Sequence, residues 1–321
     1  MKKLFIAGAL LLLGMTGVLL YLNAPPQGMR ATSFTIEYGE TAGTVARNLK
    51  KNGLVRSREF FLLASYAGGQ HSLRTGRYRI FPGTTTLEIL RKLTRGDVLT
   101  RKITIPEGFN LYQIADRLDA ADVCDSDAFL VSASDTAFLK TLGITRQSAE
   151  GYLFPDTYRF PEASDPRDVI GVMYRKMMRV LGNRPAYGPG MTAHEILTLA
   201  SLVEKEAKVY NEREIISSVF HNRLRRGMKL DCDPTVRYAV KKFIGPITVS
   251  DLKSDSPYNT YRRAGLPPTP ICSPGRESIL AAMYPKKTSF LYFVAKNDGS
   301  HYFSKTLKEH NEAVQRYQRR K

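Results

Sequence analysis

The sequence predicts an α+β protein that has a single N-terminal transmembrane helix, a small α+β region of repeated units, and an α+β domain with a glutamate-bearing helix. Residues 4 to 22 form an uncharged apolar run, three later stretches share one strand–glycine–helix pattern, and residues 192 to 207 join a helix-start signal to an apolar stripe. At 321 residues, with 43% hydrophobic and 24% charged residues, the chain is long enough for two folded domains.

The N-terminal segment has the length and polarity of a membrane span. The run LFIAGALLLLGMTGVLLYL at residues 4 to 22 carries no charge, and about 20 apolar residues cross a bilayer as a helix. Lys2 and Lys3 precede it, which predicts that residues 1 to 3 are cytoplasmic and that the rest of the chain lies outside the cell (inner) membrane. A cleaved signal peptide is the alternative, although its apolar core is usually about 7–15 residues. No Cys lies near the end of the run, so a lipoprotein is not expected.

The next residues and the overall charge narrow the class of partner. Residues 23 to 33, NAPPQGMRATS, have the composition of a tether. The formal net charge of +18 favours polyanions such as anionic lipid headgroups, an acidic envelope polymer or nucleic acid. Because the predicted span places the basic bulk outside the cytoplasm, nucleic acid is not an expected partner.

The cysteines and histidines carry no metal signature. Cys232 and Cys272 can form a disulfide that leaves Cys124 free, or all three can be small buried thiols, and the sequence leaves both open. The motif Ala193-His194-Glu195 does not continue into HExxH. Neither a metal nor a cofactor is expected.

A repeated unit occupies the region from residue 34 to residue 131. Three stretches, beginning at Phe34, Tyr78 and Lys102, pass from alternating apolar residues through a glycine to a short helical pattern. The glycines are Gly39, Gly83 and Gly108. A period of two that changes to 3.6 at a glycine predicts a strand, a turn and a helix. Because one such unit cannot bury its own apolar face, the copies are expected to pack on each other.

The first and third units resemble LysM-type modules, which bind glycan chains that contain N-acetylglucosamine. The resemblance implies glycan binding by residues 34 to 131, and the alternative is a spacer or packing scaffold. A second boundary is predicted among the small and polar residues between 132 and 150, which leaves residues 150 to 321 as one domain.

Two glutamates lie on a helix that begins at Ala193. Thr192 and Glu195 form a capping box, which fixes the start and the phase of this helix. At about 100° per residue, one apolar stripe then follows. Its members are Ile196, Leu199, Ala200, Val203 and Ala207. Glu204 and Glu206 fall on opposite shoulders of this stripe.

A carboxylic acid at such a shoulder has two possible states. Partial desolvation raises its pKa and allows it to act as a general acid. Alternatively, both Glu204 and Glu206 are solvated, with Lys208 four residues after Glu204 as an ion-pair partner. The helix pattern does not choose between these readings, nor between the two glutamates.

The segments after this helix are typical of a sugar-binding domain. A second amphipathic helix is predicted from Glu212 to Arg226 and ends at Gly227. The loop DSPYNTYRRAGLPPTPICSPG follows, and its Tyr, Asn and Thr side chains offer flat faces together with donors and acceptors. A hairpin turning near residues 297 to 299 and a terminal helix starting at Thr306 complete the chain.

These segments together resemble the YceG-like endolytic murein transglycosylases, the MltG family. The stretches LTLASLVEKEAKV, SVFHNRLRRGMKLDCDPTVRYAV, SPYNTYRRAGLPPTPICSPG and LYFVAKNDGSHYFSKT carry the resemblance, and EGYLFPDTYRF from Glu150 is similar to the family's entry into the catalytic domain. The chain departs from its relatives at Arg262-Arg263 and in having cysteines at 232 and 272, which puts fine specificity in doubt.

The resemblance implies site residues. The second glutamate of the E-K-E motif, Glu206, maps onto the catalytic acid, and Glu204 becomes the secondary candidate. In the loop, Tyr258, Asn259 and Tyr261 are expected to contact substrate. Asp233 of the D-P-T motif is an expected substrate contact whose role is less clear. The catalytic domain is expected to span residues 150 to 321.

The resemblance also implies a reaction and partners. The substrate is the bond between N-acetylmuramic acid and N-acetylglucosamine in nascent peptidoglycan strands, cleavage gives 1,6-anhydro ends, and elongation of the strand stops. The C6 hydroxyl of the muramic acid replaces water, so one carboxylic acid suffices. Peptidoglycan synthases (penicillin-binding proteins) are implied partners. The alternative is a non-catalytic, membrane-tethered scaffold that binds peptidoglycan.

Overall fold

The computed structural model describes residues 2–68, 72–182, 188 and 190–318 and is mixed α+β. The chain divides into two compact units. Unit 1 comprises Met1–Ile103, Ala120–Asp125 and Arg159–Asp165, and unit 2 comprises Thr104–Asp119, Ser126–Tyr158 and Pro166–Lys321. This division differs from the boundaries expected at 34–131 and 150–321, which stay predictions.

Unit 1 begins with the apolar helix α1 (Lys2–Asn23). Within the part of the chain that the structure describes, α1 is the single helix long and apolar enough to cross a membrane. Its window Ile6–Asn23 has a mean hydropathy of 1.9, and none of it is buried. Met1, the first of the residues expected in the cytoplasm, lies outside the described residues.

The rest of unit 1 is a small α+β fold. The elements are β1 (Thr32–Ile36), α2 (Ala42–Lys51), α3 (Arg58–Ala67), β2 (Gly76–Ile80) and α4 (Thr86–Arg95). Strands β1 and β2 pair antiparallel, with Phe34 opposite Tyr78. The inward side chains of this pair and the apolar stripes of the helices form one core. Its largest fully buried members are Tyr78, Phe61, Ile36, Leu49, Leu54, Ile80, Ile89 and Leu93.

The first two repeated units pack on each other, and the third does not join them. Gly39 and Gly83 adopt positive φ angles of 83° and 85° between strand and helix, as the pattern requires. The third strand, β3 (Thr100–Thr104), pairs with β4 (Thr157–Pro161) instead of β1 or β2. The unit boundaries after Ile103 and Tyr158 fall inside these two strands. The expectation that all three copies pack together is therefore wrong for the third.

The helix of the third repeat, α5 (Leu111–Asp119), belongs to unit 2 because distant residues hold its entry. The amide of Gly108 donates to the carbonyl of Ser273 at 2.9 Å, and the amide of Leu111 donates to the Glu150 carboxylate at 3.1 Å. Such partners, some 40 and 165 residues away in the chain, give no signal in a local repeat pattern.

Unit 2 is mainly helical. Before its central helix come α6 (Ser126–Ser132), α7 (Thr136–Thr141) and α8 (Pro166–Leu181). The central helix α9 (Ala193–Glu206) contacts α10 (Arg213–Arg225), α11 (Asp233–Ala239) and α13 (Arg276–Met283), with the short α12 (Val249–Leu252) between the last two. Every residue of α9 from Ile196 to Val203 is buried. The predicted single stripe is too narrow, because neighbours cover α9 on several sides.

The end of the chain follows its local signals. Helix α10 ends just before Gly227, which has a φ of 64°. Strands β5 (Tyr292–Ala295) and β6 (His301–Ser304) form the predicted hairpin, with positive φ at Asn297 and Gly299. Thr306 caps the last helix, α14 (Leu307–Tyr317), through a capping box with Glu309. These three predictions are confirmed.

Candidate active site

The helix that carries both glutamates begins and ends in defined ways. The Glu195 amide donates to Thr192 Oγ1 at 3.3 Å, and the Thr192 amide donates to Glu195 Oε2 at 2.8 Å, so the capping box is complete. Helix α9 ends at Glu206, because the backbone turns extended at Ala207 (φ −76°, ψ 107°). Glu206 is therefore the last residue of a buried helix, and its carboxyl group contacts the segment 231 to 235.

The surroundings of Glu206 favour its protonated form. The pKa of Glu206 is raised to about 7, mainly by burial and also by the nearby Asp233 carboxylate, against the lowering effects of a hydrogen bond from Cys232 and of the Lys208 charge. The Cys232 thiol donates to Glu206 Oε1 at 3.2 Å. A carboxylic acid with a pKa near 7 is partly protonated at neutral pH and can give its proton to a substrate.

Hydrogen bonds to the tyrosine-rich loop hold the segment that faces Glu206. The Cys232 amide donates to Thr260 Oγ1 at 3.0 Å, and Thr235 Oγ1 donates to the Cys232 carbonyl at 2.7 Å. Asp231 adopts a positive φ of 50°, which an Asp tolerates better than most residues. Cys232 and Asp233 are thus presented side by side toward α9.

Asp233 is fixed by a tyrosine of the same loop. The Tyr261 hydroxyl donates to Asp233 Oδ1 at 2.7 Å. Burial, the hydrogen bond to Asp233 and the Asp233 charge all raise the pKa of Tyr261, so its proton stays on the phenol. The second oxygen of Asp233 stays available to another donor, because the hydrogen bonds within the described chain engage only Oδ1.

A cavity of about 620 Å³ joins these groups. Its lining includes Glu206, Asp233 and Tyr261, and β5 and α14 supply much of the rest of the lining. The complete lining is Glu206, Arg223, Leu230, Asp231, Asp233, Tyr261, Tyr292, Phe293, Val294, Ala295, His301, Leu307, His310, Val314 and Gln318. Aromatic faces beside carboxylates and hydroxyls suit a sugar, which has apolar ring faces and a rim of hydroxyls.

Arg223 ties the cavity wall together. Its Nη1 donates to Asp231 Oδ2 at 2.8 Å and its Nε to the Leu291 carbonyl. The guanidinium also lies 5.1 Å from the centre of the Tyr292 ring. The side chain is only 9% exposed, so these partners compensate for the burial of its charge.

A histidine that the sequence did not single out also lines the cavity. Glu212 accepts the amide of His301 at 2.9 Å on one oxygen and its Nδ1–H at 2.7 Å on the other. Both side chains are nearly buried, and the carboxylate fixes the ring. Residues 89 positions apart form this pair, and the hairpin that brings them together offered the only sequence signal.

The two glutamates of α9 have separate environments. Glu204 Oε2 accepts the amide of Gly275 at 3.0 Å, at the N-terminus of α13. Glu107 packs against the same glycine, and a Cβ there would lie 2.1 Å from Glu107 Cδ. Glu204 is therefore engaged in holding α13, whereas Glu206 lines the cavity.

Comparison with known proteins identifies the family of this chain. Residues 34–316 match the model of the YceG-like family. The chain belongs to the YceG-like family. An endolytic murein transglycosylase of Bacillus subtilis is 35% identical over 306 residues, which cover 89% of this chain and 84% of the relative. One from Streptococcus pneumoniae is 31% identical over 315 residues, which cover 87% of this chain and 57% of the relative.

A solved structure extends the match to three dimensions. The crystal structure of a yceG-like protein from Listeria monocytogenes superimposes with a TM-score of 0.60 at 32% sequence identity. The match covers 88% of this chain and 99% of that one. The YceG-like family resemblance stated from the sequence motifs is therefore confirmed.

In this YceG-like chain, two of the expected substrate contacts, Tyr258 and Asn259, do not line the cavity that Glu206 lines. The Tyr258 hydroxyl shares a hydrogen bond with Thr269 at 2.8 Å, and its ring lies 5.0 Å from that of Tyr238. Asn259 is fully buried, and its amide group donates to the carbonyls of Leu252 and Ser254. Asn259 thus shapes the loop, while Tyr261 and Asp233 reach the cavity.

A second buried acid of the YceG-like chain escaped the sequence analysis. Glu150 is fully buried, and it accepts the Leu111 amide and the Tyr238 hydroxyl on Oε2. Burial raises the pKa of Glu150 to about 7 against the effect of these hydrogen bonds. Its other oxygen, Oε1, is buried without a hydrogen-bond partner among the described residues. The motif EGYLFPDTYRF marked its position but not its burial.

All three cysteines are buried, and no disulfide joins any of them to another. The disulfide between Cys232 and Cys272 that the sequence left open is not formed. Cys232 faces Glu206, while the Cys272 thiol donates to the Ser201 carbonyl at 3.4 Å.

Proposed function

We infer that this protein is an endolytic murein transglycosylase that cuts peptidoglycan strands with Glu206 as its catalytic acid. The relatives are named for this activity. The observation that carries the residue assignment is the Glu206 carboxyl group, whose pKa is raised to about 7 on the wall of the large cavity. The non-catalytic scaffold has no comparable support.

The reaction needs one acid because the substrate brings its own nucleophile. Glu206 gives its proton to the glycosidic oxygen, and the bond from that oxygen to C1 of the N-acetylmuramic acid breaks. The C6 hydroxyl oxygen of the same sugar bonds to C1, and its proton returns to the Glu206 carboxylate. The products are a 1,6-anhydro end and a free 4-hydroxyl on N-acetylglucosamine, and no water is consumed. Intramolecular attack has a high effective concentration, so a second catalytic carboxylate is dispensable.

We propose that Asp233 and Tyr261 assist at the acetamido group of the N-acetylmuramic acid. We assign the free oxygen of Asp233 to the acetamide N–H, with the Tyr261 hydroxyl keeping the carboxylate in this orientation. A negative charge beside C1 also stabilises the oxocarbenium-like transition state. The two residues therefore act on the sugar that reacts, and Glu204 has no part in the chemistry.

The location of the enzyme follows from its first helix. We propose that α1 is an uncleaved anchor with its N-terminus in the cytoplasm, which leaves the catalytic domain outside the inner membrane near nascent strands. The LysM-like residues 34 to 131 bind glycan in this scheme. Cleavage near the membrane ends elongation of a strand, which makes peptidoglycan synthases the partners of this activity.

A pair of matched variants tests the acid. Glu206→Gln keeps the size and hydrogen-bonding capacity of the side chain but cannot donate its proton as an acid. We expect release of anhydro products from purified murein to fall by about 10²-fold or more. Glu204→Gln, two residues away on the same helix, is the control and should retain most of the activity. The reverse result would show that Glu204 is the acid, while the enzyme class would stand.

The scaffold alternative is tested by separating binding from turnover. Insoluble murein is incubated with wild-type protein, and the bound protein and released products are both measured by mass spectrometry. The proposed function requires new anhydro ends. Binding without any new product would contradict it.

A further inference from the structure

Within unit 1, the end of α1 is hydrogen-bonded to the start of α4. The Leu87 amide, near the N-terminus of α4, donates to Asn23 Oδ1 at 3.0 Å, and Thr86 Oγ1 donates to the Leu22 carbonyl at 3.2 Å. Asn23 is the last residue of α1. The helix expected to span the membrane therefore ends against the start of α4.

Arg56 closes the same junction from the other side. Its Nε donates to the Ala24 carbonyl at 3.1 Å and its Nη2 to the Pro25 carbonyl at 2.9 Å. The guanidinium lies 4.5 Å from the centre of the Tyr21 ring. The carbonyls at a helix C-terminus lack partners within the helix, and here unit 1 supplies them. The first residues of the expected tether are thus held in place.

These contacts hold the end of the expected membrane span directly against α4. The first helix is therefore not separated from the rest of unit 1 by a flexible linker. Tyr21 is 62% exposed and Leu87 is 40% exposed. Tyr favours the headgroup layer, where its ring and hydroxyl meet apolar and wet surroundings. Arg91, four residues after Leu87, is exposed on the same side of α4.

The charge beside this face suits an anionic surface. Arg91, Lys92 and Arg95 line a cavity of about 420 Å³ along α4, which Glu88 and Asp97 also line. Lys92 pairs with Asp97 at 3.3 Å. Within the described residues, Arg91 and Arg95 form no ion pair and can therefore meet lipid phosphates.

We propose that Tyr21, Leu87 and Arg91, which we call the α4 face, lie in the headgroup layer of the membrane. Unit 1 is then seated on the bilayer instead of being held away from it by a flexible tether. This proposal rests on the proposed membrane anchor α1. The experiment must therefore distinguish a failure of the anchor from a failure of the α4 face to reach the headgroup layer.

The chain contains no Trp, so single-tryptophan variants report on one position each. Full-length Tyr21→Trp, Leu87→Trp and Tyr38→Trp proteins are reconstituted into phosphatidylcholine–phosphatidylglycerol vesicles, with and without acyl chains brominated near the headgroup. Tyr38 is the control, because it follows the end of the β1–β2 ladder opposite to the end that leads into α4. The fluorescence of Tyr21→Trp and Leu87→Trp should fall in brominated vesicles more than that of Tyr38→Trp.

Each other outcome has a defined meaning. If Tyr21→Trp is quenched while Leu87→Trp is quenched no more than Tyr38→Trp, the anchor stands and the α4 face proposal is overturned. If Tyr21→Trp is not quenched, the anchor itself fails and the α4 face proposal fails with it.

In unit 2, the Cys232 thiol holds one oxygen of the proposed acid Glu206. The Cys232 thiol is 1% exposed and donates to Glu206 Oε1, and backbone hydrogen bonds on both sides of Cys232 fix its position. Glu206 Oε2 accepts no hydrogen bond from the part of the chain that the structure describes. One oxygen of the acid is thus held by the protein, and the other is open to the cavity.

We infer that Cys232 is a positioning residue for the acid Glu206. By holding Oε1, the thiol turns Oε2 toward the glycosidic oxygen, and it stabilises the carboxylate that forms once the proton has been given away. Burial raises the pKa of the thiol, so the S–H remains a donor at neutral pH. The inference rests on the proposed role of Glu206.

Several charged groups share this environment and must stay constant in a test. Asp233 and Lys208 act on the charge of Glu206 directly. The other titratable or charged residues of the cavity are Arg223, Asp231, Tyr261, His301 and His310. Substitution at Cys232 alone keeps every one of these side chains in the protein.

Two substitutions at Cys232 predict opposite shifts. A hydroxyl is a stronger donor than a thiol, so Cys232→Ser should lower the pKa of Glu206 and move the alkaline limb of the kcat profile to lower pH. Cys232→Ala removes the donor and should move that limb to higher pH, by about half a unit or more for a hydrogen bond of about 1 kcal/mol. Cys232→Ala should also lower kcat several-fold with KM nearly unchanged.

If Cys232 only filled space, Cys232→Ser and Cys232→Ala would not move the alkaline limb in opposite directions. Limbs that move in the same direction, or that stay in place while activity falls, would overturn the inference. Glu206→Gln is measured alongside. If that variant remains active, the assignment of the acid has failed, and the Cys232 inference, which rests on it, is overturned as well.

Discussion

At Glu206, two neighbours decide what the helix pattern could not. The spacing of Glu204 and Glu206 placed both on shoulders of α9, and either could be a solvated side chain. In the structure, Glu204 accepts a backbone amide at α13, whereas Glu206 meets Cys232 and a cavity. These partners come from segments 26 and 71 residues further along the chain, so no local pattern could assign the roles.

Asp233 should affect the rate and the pH dependence together. Its negative charge raises the pKa of Glu206, so Asp233→Asn should lower that pKa and move the alkaline limb of kcat to lower pH. Loss of the proposed acetamide contact should also reduce kcat by about 10²-fold. The measurement is the rate of anhydro product release across a pH series.

Tyr261→Phe is the matched comparison for Asp233. It removes the hydrogen bond that orients Asp233 but leaves the charge near Glu206 in place. We expect kcat to fall by about 10-fold, the usual effect of an interaction of about 1.4 kcal/mol, with the alkaline limb unmoved. Equal limb shifts in both variants would argue against a charge effect of Asp233.

At the level of elements, local signals predicted local structure well. The capping boxes at Thr192 and Thr306, the glycine after α10 and the hairpin at residues 297 to 299 all appear as expected, because each depends on residues within one or two turns. For the third repeat, the local signals gave a wrong prediction of its packing partner. Its strand pairs with β4, more than 50 residues later, and such pairing leaves no mark in a repeat of about 20 residues.

The cavity wall depends on one buried side chain of α10. Arg223→Met should leave the Leu291 and Leu230 carbonyls without their side-chain donor, at a cost of about 1–3 kcal/mol in the free energy of unfolding. Urea denaturation measures this change. Arg226→Met, at an exposed position just after the same helix, is the control and should change stability by about 0.5 kcal/mol or less. Similar effects at both positions would contradict the role of Arg223.

For the whole molecule, the sequence predicted the class of protein, while the domain boundaries at 34–131 and 150–321 stay predictions. The family match, the α+β character and the apolar first helix agree with the sequence analysis. The compact units do not follow the order of the chain, because two short segments, Ala120–Asp125 and Arg159–Asp165, return to unit 1. Chain returns of this kind depend on tertiary contacts, which composition and periodicity do not reveal.

Glu150, which is fully buried, and Glu206, which is partly buried, should make the stability of the molecule depend on pH. Burial raises the pKa of Glu150 and of Glu206 from 4.5 to about 7. Each acid therefore binds its proton more tightly in the folded state, and its stabilising contribution is complete below about pH 4.5 and lost as pH rises through about 7. We expect the urea midpoint to fall as pH rises through this window.

Glu150→Gln should remove part of that fall, because an amide does not titrate. A pKa shift of this size corresponds to at most about 3 kcal/mol per group. Urea midpoints at a series of pH values, for wild type and for Glu150→Gln, provide the measurement. A wild-type midpoint independent of pH, or an unchanged slope in the variant, would contradict the burial of a titrating Glu150.

In the proposed mechanism, Glu206 drives cleavage without water as the nucleophile. Purified murein is digested in water enriched in heavy oxygen, and the new glycan ends are weighed by mass spectrometry. We expect anhydro ends that are lighter than hydrolysed ends by one water and carry no heavy oxygen, and we expect that Glu206→Gln produces none of them. Reducing ends that contain heavy oxygen would show that the protein is a hydrolase and would contradict the mechanism.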